Sequence, residues 1–403
     1  MASRHHILAI NAGSSSIKFA LYQIGHPLRR LHSGSLDRIG QAEARMLVQG
    51  PNAGDRRSDL VAALDQPQAI AILIDWINAH TTAQALAAIG HRLVHGGPNY
   101  SAPQWLSAAV IADLQQLLPL DPAHLPTTLA LIDALGQHFP DVPQVACFDT
   151  AFHHALPRVA QLLAIPRRYQ TLGLRRFGFH GLSYEFLLGE LRRLAGTEAA
   201  QGRVILAHLG NGASVAAVRN GQSIDTSMGF TPASGLPMGT RAGDIDPGLV
   251  GYLARTEQMS PAQFNQMVTE QSGLLGVSGT SADLRNLLAM ESQSPAAADA
   301  IELFCYQVKK WIGAMAAALG GVDTLVFAGG IGENAPEIRA RICQGLEFLG
   351  IALHPQRNAD SNALISADGR VQVRVIATDE ALMIARTVAH LLDPAVERAT
   401  KEP

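Results

Sequence analysis

The chain contains little cysteine. It has three cysteines in 403 residues, Cys147, Cys305 and Cys343, an odd number at wide spacing. That arrangement offers neither a disulfide framework nor the closely spaced thiols of a zinc site. Because unpaired thiols are typical of reducing compartments, we expect a cytoplasmic protein.

Charge and long apolar runs are also scarce. Charged residues make up 16% of the chain and the formal net charge is −3, so the basic excess of a nucleic-acid-binding face is missing. No apolar run approaches the roughly 20 residues that a membrane helix needs, and the run near the N-terminus is too short for a signal peptide. We therefore expect neither a nucleic acid nor a membrane as a partner.

Two common nucleotide-binding signatures are absent as well. The chain has no Gly-x-x-x-x-Gly-Lys-Ser/Thr loop and no Gly-x-Gly-x-x-Gly after its first predicted strand. It has instead an alternation of apolar runs of strand length with helical patterns, in which four predicted strands end in glycine-rich turns. With 47% hydrophobic residues and a length that exceeds a single core, these features predict an α/β protein of two domains.

One glycine-rich turn lies within a stretch that runs from residue 205 to residue 247. Gly210, Asn211 and Gly212 separate two short apolar runs, and glycine there lets the backbone approach a ligand closely. A hairpin with such a tip can hold a phosphate against exposed N–H groups, and Arg241 supplies a planar cation suited to phosphate or carboxylate. An edge hairpin followed by a polar loop is the alternative. The glycines together with the arginine favour an anion site.

The N-terminus repeats the pattern of that stretch. An apolar run at residues 6–10 is followed by a small polar turn and a second apolar run, and Leu8-Ala9 corresponds to Leu206-Ala207 at an offset of 198 residues. An offset of about half the chain predicts an internal repeat of two similar α/β domains, each opening with a phosphate-facing hairpin. We therefore expect a nucleotide held in a cleft between the two domains.

Several residues admit two interpretations each. Asp149 follows a predicted strand, where a carboxylate either captures Mg²⁺ or caps a helix. Arg92 is either a surface charge or a ligand arginine, and His180, between glycines and after two arginines, is either structural or catalytic. Gly329 and Gly330 stand between a predicted strand and a predicted helix, an arrangement that accommodates a phosphate or a nucleoside. Taken singly, these residues leave the alternatives open.

Eight segments in a fixed order give the chain a resemblance to a known family. They are residues 11–18 (NAGSSSIK), 91–97 (HRLVHGG), 148–153 (FDTAFH), 178–181 (GFHG), 208–212 (HLGNG), 239–246 (GTRAGDID), 281–285 (SADLR) and 329–334 (GGIGEN). With these segments, nearly the whole chain resembles the acetate kinases. The resemblance implies the fold of the sugar kinases, heat-shock ATPases and actin, with two duplicated ribonuclease H-like (actin-like ATPase) domains and an interdomain active-site cleft. It implies an N-terminal domain at residues 1–150, completed by a C-terminal helix at 381–403, and a nucleotide-binding C-terminal domain at 151–380.

The same resemblance implies a reaction and its participants. The reaction would be the reversible transfer of the γ-phosphoryl group of ATP to the carboxylate of acetate, giving ADP and acetyl phosphate. Mg²⁺ would be the cofactor, with Mn²⁺ as a substitute, and the enzyme would be a cytoplasmic homodimer. Since a carboxylate is already a nucleophile, we expect direct in-line transfer that depends on positioning and charge neutralisation rather than on a general base.

Site roles follow from the resemblance position by position. The catalytic residues would be Arg92, Asp149, His180 and Arg241, and the metal would be held by Asp149 and Glu380. The acetate pocket would be formed by Arg92, Val94, Leu120, Phe179 and Pro232. ATP would be bound by Asn11, Ser14, Ser16, Lys18, His208, Asn211, Gly212, Asp283, Arg285, Gly330, Ile331 and Asn334.

The chain departs from the family pattern at three positions. Asp121 stands where a substrate-side histidine is expected, with His124 nearby as a substitute, and Leu182 and Tyr184 replace the usual threonine and histidine. These departures concern the acceptor side, so a kinase for propionate or another short-chain fatty acid is the alternative. A nucleotide-dependent binding protein of the actin or heat-shock type is a third hypothesis. It is disfavoured because it gives the two predicted ligand arginines no anionic acceptor.

Overall fold

The computed structural model describes residues 4–13, 15–41, 43–52, 54–63 and 65–393. Ser14, a predicted ATP ligand, and residues 394–403 of the predicted C-terminal helix lie outside the described residues. The chain divides into two compact units, one formed by Met1–Ala151 with Asp379–Pro403 and the other by Phe152–Thr378.

Strands and helices alternate through most of the chain. The strands are β1 (His6–Ala12), β2 (Ser16–Gln23), β3 (Arg29–Asp37), β4 (Arg45–Gln49), β5 (Arg56–Leu60), β6 (Leu86–Leu93), β7 (Gln104–Trp105), β8 (Gln144–Phe148), β9 (Val204–Leu209), β10 (Ala213–Arg219), β11 (Gln222–Thr226), β12 (Thr324–Ala328) and β13 (Gln372–Val375). The α-helices are α1 (Gln66–His80), α2 (Ala108–Gln116), α3 (Leu125–His138), α4 (Arg158–Gln161), α5 (Gly181–Gln201), α6 (Gly248–Thr256), α7 (Pro261–Glu270), α8 (Gly273–Ser278), α9 (Leu284–Met290), α10 (Pro295–Leu319), α11 (Gly329–Asn334), α12 (Pro336–Cys343), α13 (Pro355–Ala359) and α14 (Glu380–Leu391).

The first unit is built on a mixed sheet with the strand order β5-β4-β3-β2-β1-β6-β8-β7. β1 and β2 form the predicted hairpin, in which Asn11 pairs with Lys18. β6 runs parallel to β1, and β8 runs parallel to β6. The carboxyl ends of β1, β6 and β8 therefore lie at the same edge of the sheet.

Helix α1 shows how the sequence forms one layer of this unit. Asp65 caps the helix by accepting a hydrogen bond from the backbone N–H of Gln68 at 2.9 Å, and Pro67 occupies the first turn, where its missing N–H costs nothing. Apolar residues then recur at helical spacing and are buried: Ala69, Ile70, Leu73, Trp76 and Ile77. They join the core that covers the hairpin formed by β1 and β2.

Helix α14 returns to the first unit after the chain has formed the second. Asp379 caps it by accepting a hydrogen bond from the backbone N–H of Leu382 at 2.9 Å. Ile384 and Val388 are fully buried on its inner face. Only glycine permits this packing at residue 90, because a Cβ at Gly90 would lie 2.5 Å from Ile384. The helix therefore sits close on the sheet, with Glu380 in its first turn.

The second unit has a five-stranded sheet that repeats the topology of part of the first sheet. Its strand order is β11-β10-β9-β12-β13, with β9 antiparallel to β10 and β12 parallel to both β9 and β13. The turn between β10 and β11 uses positive φ angles at Asn220 (54°) and Gly221 (74°), as two-residue hairpin turns require. The corresponding part of the first sheet is β3-β2-β1-β6-β8, so both units contain the hairpin and parallel strands that the internal repeat predicts.

The long helix α10 supplies much of the core of the second unit. Ile301, Phe304, Val308, Ile312 and Met315 form its buried stripe. Among the helices of the described residues, none combines the length and apolar character needed to cross a membrane. All three cysteines are free thiols in buried positions.

Candidate active site

Four polar side chains meet at one edge of the first unit's sheet. Asn11 lies near the end of β1, Arg92 near the end of β6, and Asp149 directly after β8. Glu380 joins them from the first residue of α14. The parallel arrangement of β1, β6 and β8 brings residues from distant parts of the chain to the edge where ligands bind in open α/β sheets.

Arg92 is the centre of this cluster. Its Nε donates to Asp149 Oδ2 at 3.0 Å, its Nη2 makes a second and shorter contact with the same oxygen, and its Nη1 donates to Asn11 Oδ1 at 3.1 Å. Asn11 Nδ2 in turn donates to Glu380 Oε2 at 3.1 Å. Asp149 is fully buried, while the side chains of Arg92 and Glu380 are 17% and 20% exposed. One guanidinium therefore faces two carboxylates.

The ionisation of the cluster follows from this arrangement. Burial alone would lower the pKa of Arg92, but the charges of Asp149 and Glu380 outweigh it and raise that pKa above its ordinary value. Burial raises the pKa of Glu380, Asp149 raises it further, and the positive charges of Arg92 and Lys18 oppose both. Arg92 therefore stays charged, and added positive charge would stabilise the ionised form of Glu380.

The donor atoms of the cluster fit a magnesium ion. Asp149 Oδ1 is buried and has no hydrogen-bond partner, and carboxylate oxygens are the ligands that Mg²⁺ prefers. No group of three or more histidine, cysteine, aspartate or glutamate side chains converges in the part of the chain that the structure describes. Two carboxylates suit Mg²⁺, which commonly keeps several waters and takes further oxygens from phosphates.

Four other residues with predicted site roles belong to the first unit. Ser16 and Lys18 are on β2, and the exposed side chain of Lys18 acts electrostatically on Glu380. Val94 is buried just after β6, and Leu120 is half-buried between α2 and α3.

Asp121, the first departure from the family pattern, is a second buried acid of this unit. It is 5% exposed, and its Oδ1 lies 2.8 Å from His124 Nδ1. Its Oδ2 is buried without a hydrogen-bond partner. The negative charge of Asp121 also raises the pKa of Arg92. A buried acid therefore acts electrostatically on Arg92 from the position where the resemblance implies a histidine.

In the second unit, a strained turn precedes α5 and carries His180. His180 adopts a left-handed φ of 60°, which is uncommon for a residue other than glycine and is found at functional sites. His153 fixes the turn, since its Nε2 donates to the carbonyl oxygen of Phe179 at 3.0 Å and its Nδ1 accepts from Ser223 Oγ at 2.7 Å. Only glycine fits at residue 178, because a Cβ there would lie 2.6 Å from the His153 ring. Sequence reasoning assigns no role to His153, and its place in the segment at 148–153 is the signal that points to it.

A measurable pH dependence follows from two buried histidines. Burial lowers the pKa of His153 to about 4, although the hydrogen bond to Phe179 acts in the opposite direction and raises it. Burial also lowers the pKa of His91 on β6 to about 4. The unfolded chain protonates both below about pH 6.5 while the folded chain does not, so acid stabilises the unfolded state. The free energy of unfolding should therefore fall between pH 7 and pH 5 by about 2 kcal/mol for each histidine. Urea titrations of the wild type and of His153→Gln test this, since the variant should lose about 2 kcal/mol less over that interval. An equal loss in both proteins would contradict it.

His180 is surrounded by groups that orient its ring. Its Nδ1 lies 2.8 Å from Ser214 Oγ on β10, and its ring lies 4.4 Å, centroid to centroid, from that of His208 at the end of β9. A Cβ at Gly212 would lie 3.2 Å from His180 Nε2, so the bare backbone at the hairpin tip leaves room for this nitrogen. His208 Nδ1 is itself held 2.8 Å from Ser183 Oγ.

Three of the segments predicted to bind ATP are adjacent in the second unit. The backbone N–H of Gly239 donates to the carbonyl oxygen of Asn211 at 3.1 Å, and a Cβ at Gly239 would lie 3.4 Å from the carbonyl oxygen of Ala282. A Cβ at Gly210 would lie 3.7 Å from the backbone nitrogen of Gly330. The hairpin tip thus contacts both the loop of Gly239 and the start of α11.

The remaining predicted nucleotide residues belong to α11 or to the first residues and the cap of α9. Gly330 and Ile331 are in the first turn of α11, and Asn334 Nδ2 donates to the carbonyl oxygen of Gly330 at 3.0 Å. Asp283 caps α9 and pairs with Arg285, whose side chain is 89% exposed. Both helices therefore present polar groups that sequence reasoning placed in the ATP site.

Arg241 and Pro232, which we predicted on the acceptor side, are in contact. Arg241 Nη1 donates to the carbonyl oxygen of Pro232 at 3.2 Å. Its carbonyl oxygen accepts from the N–H of Met238 at 2.9 Å, which closes the loop that carries the arginine. Phe179 is only 1% exposed. The departures Leu182 and Tyr184 are also buried, at 3% and 0% exposure.

The chemistry available at these edges is of one kind. Positive charge, oxygen ligands for a divalent cation and glycine-rich turns serve the positioning and neutralisation of phosphate groups. Phosphoryl transfer needs little else from a protein. The site therefore defines this protein as a phosphotransferase.

Comparisons with known proteins give the family. The model of the acetokinase family matches residues 6–386. The acetate kinase of Rhodopseudomonas palustris is 45% identical to this chain over 393 residues, covering 96% of this chain and 98% of that protein. The chain belongs to the acetokinase family.

Solved structures confirm the predicted fold class. The crystal structure of a propionate kinase from Francisella tularensis has a TM-score of 0.89 at 35% identity and covers 95% of this chain and 98% of its own. The crystal structure of Porphyromonas gingivalis acetate kinase has a TM-score of 0.87 at 35% identity and covers 96% and 100%. The chain therefore has the α/β actin-like ATPase fold.

Proposed function

We propose that this enzyme catalyses the reversible transfer of the γ-phosphoryl group of ATP to acetate, giving ADP and acetyl phosphate. The observation that supports this best is the cluster in which Arg92 faces Asp149 and Glu380, with one buried oxygen of Asp149 lacking a partner. Such a cluster can serve an anionic acceptor and a metal-bound phosphate together. We also propose a cytoplasmic homodimer, as the family resemblance implies.

The residues of the chain would act through charge and position. Arg92 and Arg241 would bind the acetate carboxylate and the phosphoryl group, reducing the repulsion between two anions. His180 would donate a hydrogen bond to the phosphoryl oxygens as negative charge develops on them. The acetate oxygen would attack phosphorus in line with the departing ADP, and no general base would be needed because the carboxylate carries no proton at neutral pH.

The cofactor and co-substrate complete the proposal. Asp149 and Glu380 would hold Mg²⁺, which when bound neutralises charge on the β- and γ-phosphates; Mn²⁺ has similar oxygen preferences. ATP would be bound by the hairpin tips with Asn11 and Asn211, and by the starts of α9 and α11.

A kinase for propionate or another short-chain acid is the second candidate. The observation that favours it is the buried Asp121, which gives the acceptor side an acid with an unpartnered oxygen, and one of the matched structures is a propionate kinase. Because one methylene group alters selectivity by only about 10- to 200-fold in an apolar pocket, both acids should be tested together.

The test measures acyl phosphate trapped with hydroxylamine, using ATP and Mg²⁺ with acetate, propionate and butyrate in parallel. We expect the highest kcat/KM with acetate, a lower value with propionate, and little product with butyrate. A higher kcat/KM with propionate or butyrate would transfer the function to the second candidate. ATP hydrolysis without acyl phosphate from any acid would contradict both and support a nucleotide-dependent binding protein.

A further inference from the structure

A hydrogen-bonded chain lies behind His180, on the side of the ring that carries Nδ1. Tyr184, in the first turns of α5, and Ser214, on β10, are both fully buried. The hydroxyl of Tyr184 is hydrogen-bonded to Ser214 Oγ, which lies 2.8 Å from His180 Nδ1. The opposite ring nitrogen, Nε2, faces the hairpin tip at Gly212. The two nitrogens of His180 thus have different surroundings.

The chemistry of the three groups favours one order of donation. A phenol is more acidic than an aliphatic alcohol, so the Tyr184 hydroxyl is the better donor of the two. A neutral imidazole nitrogen is a better acceptor than a hydroxyl oxygen, so the single hydrogen of the Ser214 hydroxyl is best directed to Nδ1. Successive hydrogen bonds that all donate in the same direction also strengthen one another by polarisation. In this order His180 carries its proton on Nε2.

We propose that Tyr184 is a positioning residue that, through Ser214, holds His180 as the neutral tautomer with a hydrogen on Nε2. The inference about catalysis rests on the proposed function, in which that hydrogen is donated to the transferring phosphoryl group. Fixing the donor in advance lowers the reorganisation needed at the transition state.

The surroundings of the hydrogen-bonded groups indicate that the ring of His180 is held in one position. His180 is held at a left-handed φ of 60°, and the ring of His153 packs edge-on against Tyr184 with centroids 5.6 Å apart. The titratable rings against this network are His208 from β9 and His153 from the segment before α4. Burial keeps the pKa of His153 low, at about 4, so that ring adds no charge near neutral pH.

The first test is spectroscopic and needs no turnover. In protein labelled with ¹⁵N-histidine, the two-bond ¹⁵N–¹H correlation pattern of His180, assigned by its loss in His180→Gln, should be that of the Nε2–H tautomer. Tyr184→Phe, which keeps the ring and removes only the hydroxyl, should shift the pattern towards a mixture of tautomers. Tyr100→Phe is the matched control, because it removes a phenol hydroxyl that donates to Asp113 at 2.8 Å in the first unit. An unchanged His180 pattern in Tyr184→Phe would overturn the proposal.

The second test is a double-mutant cycle on turnover. Tyr184→Phe should lower kcat about tenfold, the loss expected for one misplaced hydrogen bond, with KM for ATP and for the acid within about twofold. Ser214→Ala should lower kcat at least as much, and adding Tyr184→Phe to it should have no further effect, because the tyrosine acts through the serine. If the two substitutions lowered kcat by factors that multiply, Tyr184 would have a general packing role, and the proposed positioning of His180 through Ser214 would be contradicted.

The two tests separate this inference from the proposed function. If the wild type forms no acyl phosphate, the proposed function fails, while the ¹⁵N pattern still decides whether Tyr184 holds the tautomer of His180. If the wild type is active and the variants keep the wild-type tautomer, the role of Tyr184 is refuted and the proposed function stands.

Discussion

Arg92→Gln should lower kcat/KM for acyl phosphate formation about 10³-fold, which is the upper end of what one charge-stabilising group contributes. Glutamine retains hydrogen-bonding capacity but removes the guanidinium cation that contacts both Asp149 and Glu380. The loss has two sources, since the acceptor carboxylate is no longer attracted and two acids are left facing each other. Rates with varied acid and ATP should show the loss in both kcat and KM for the acid.

The same substitution should destabilise the fold. Removing one partner of a buried ion pair costs about 3–5 kcal/mol, because the remaining charge is desolvated and uncompensated, and Asp149 is fully buried. Arg203→Gln is the matched control, since Arg203 pairs with Asp323 where the two side chains are 36% and 41% exposed, and solvent screens such a pair, so its loss should change stability much less. Denaturant unfolding of both variants, with and without Mg²⁺, measures the difference. Equal stability of Arg92→Gln and wild type would show that the pair contributes nothing to the fold.

Sequence patterns predict the part of the architecture that the two units share. The apolar runs and glycine turns around residues 11–16 and 210–212 predicted two hairpins, and the structure has them as β1–β2 and β9–β10. The offset between them predicted the repeated topology that both sheets share. Such features are local or periodic, so they can be detected in the sequence without knowing which elements contact each other in the fold.

The polar cluster of the first unit could be predicted only in part. Asp149 was placed at a strand end by its sequence, and parallel strands bring such ends together. The hydrogen bond from Asn11 to Glu380, however, joins residues 369 positions apart, and no spacing rule reaches that far. The family resemblance proposed those residues, and the return of α14 to the first sheet explains their contact.

Side-chain direction was the other limit of sequence reasoning. The pattern around His180 did not reveal Ser214, 34 residues away, or the supporting contact of His153 with the Phe179 carbonyl. Tyr184 was interpreted as a change on the acceptor side, whereas its hydroxyl bonds to Ser214 behind His180. Periodicity assigns a residue to a buried face, but it does not say which hydroxyl that residue will meet.

Asp149→Asn should lower turnover roughly 10³-fold and raise the Mg²⁺ concentration required for half-maximal activity. Asparagine has nearly the same size and keeps an oxygen for Arg92, so packing around residue 149 should survive. It loses the negative charge that a divalent cation needs, and its amide nitrogen must face either the Arg92 guanidinium, donor against donor, or the place where Asp149 Oδ1 now lies unpartnered. The first arrangement disrupts the contact with Arg92, and the second directs a donor towards the cation.

Comparing Asp149→Asn with a substitution of Glu380, the second acid of the cluster, tests whether the effect on turnover comes from the metal. Glu380→Gln should also raise the Mg²⁺ requirement but reduce turnover less, because Glu380 is partly exposed, its Oε2 accepts from Asn11, and it lies 3.8 Å from Arg92 Nε. Asp323→Asn, at the exposed pair with Arg203, should leave the Mg²⁺ titration unchanged. Activity measured against Mg²⁺ at fixed ATP, and repeated with Mn²⁺, ranks the three variants. A wild-type titration in Asp149→Asn would remove Asp149 from the metal site and leave its buried oxygen without an assigned ligand.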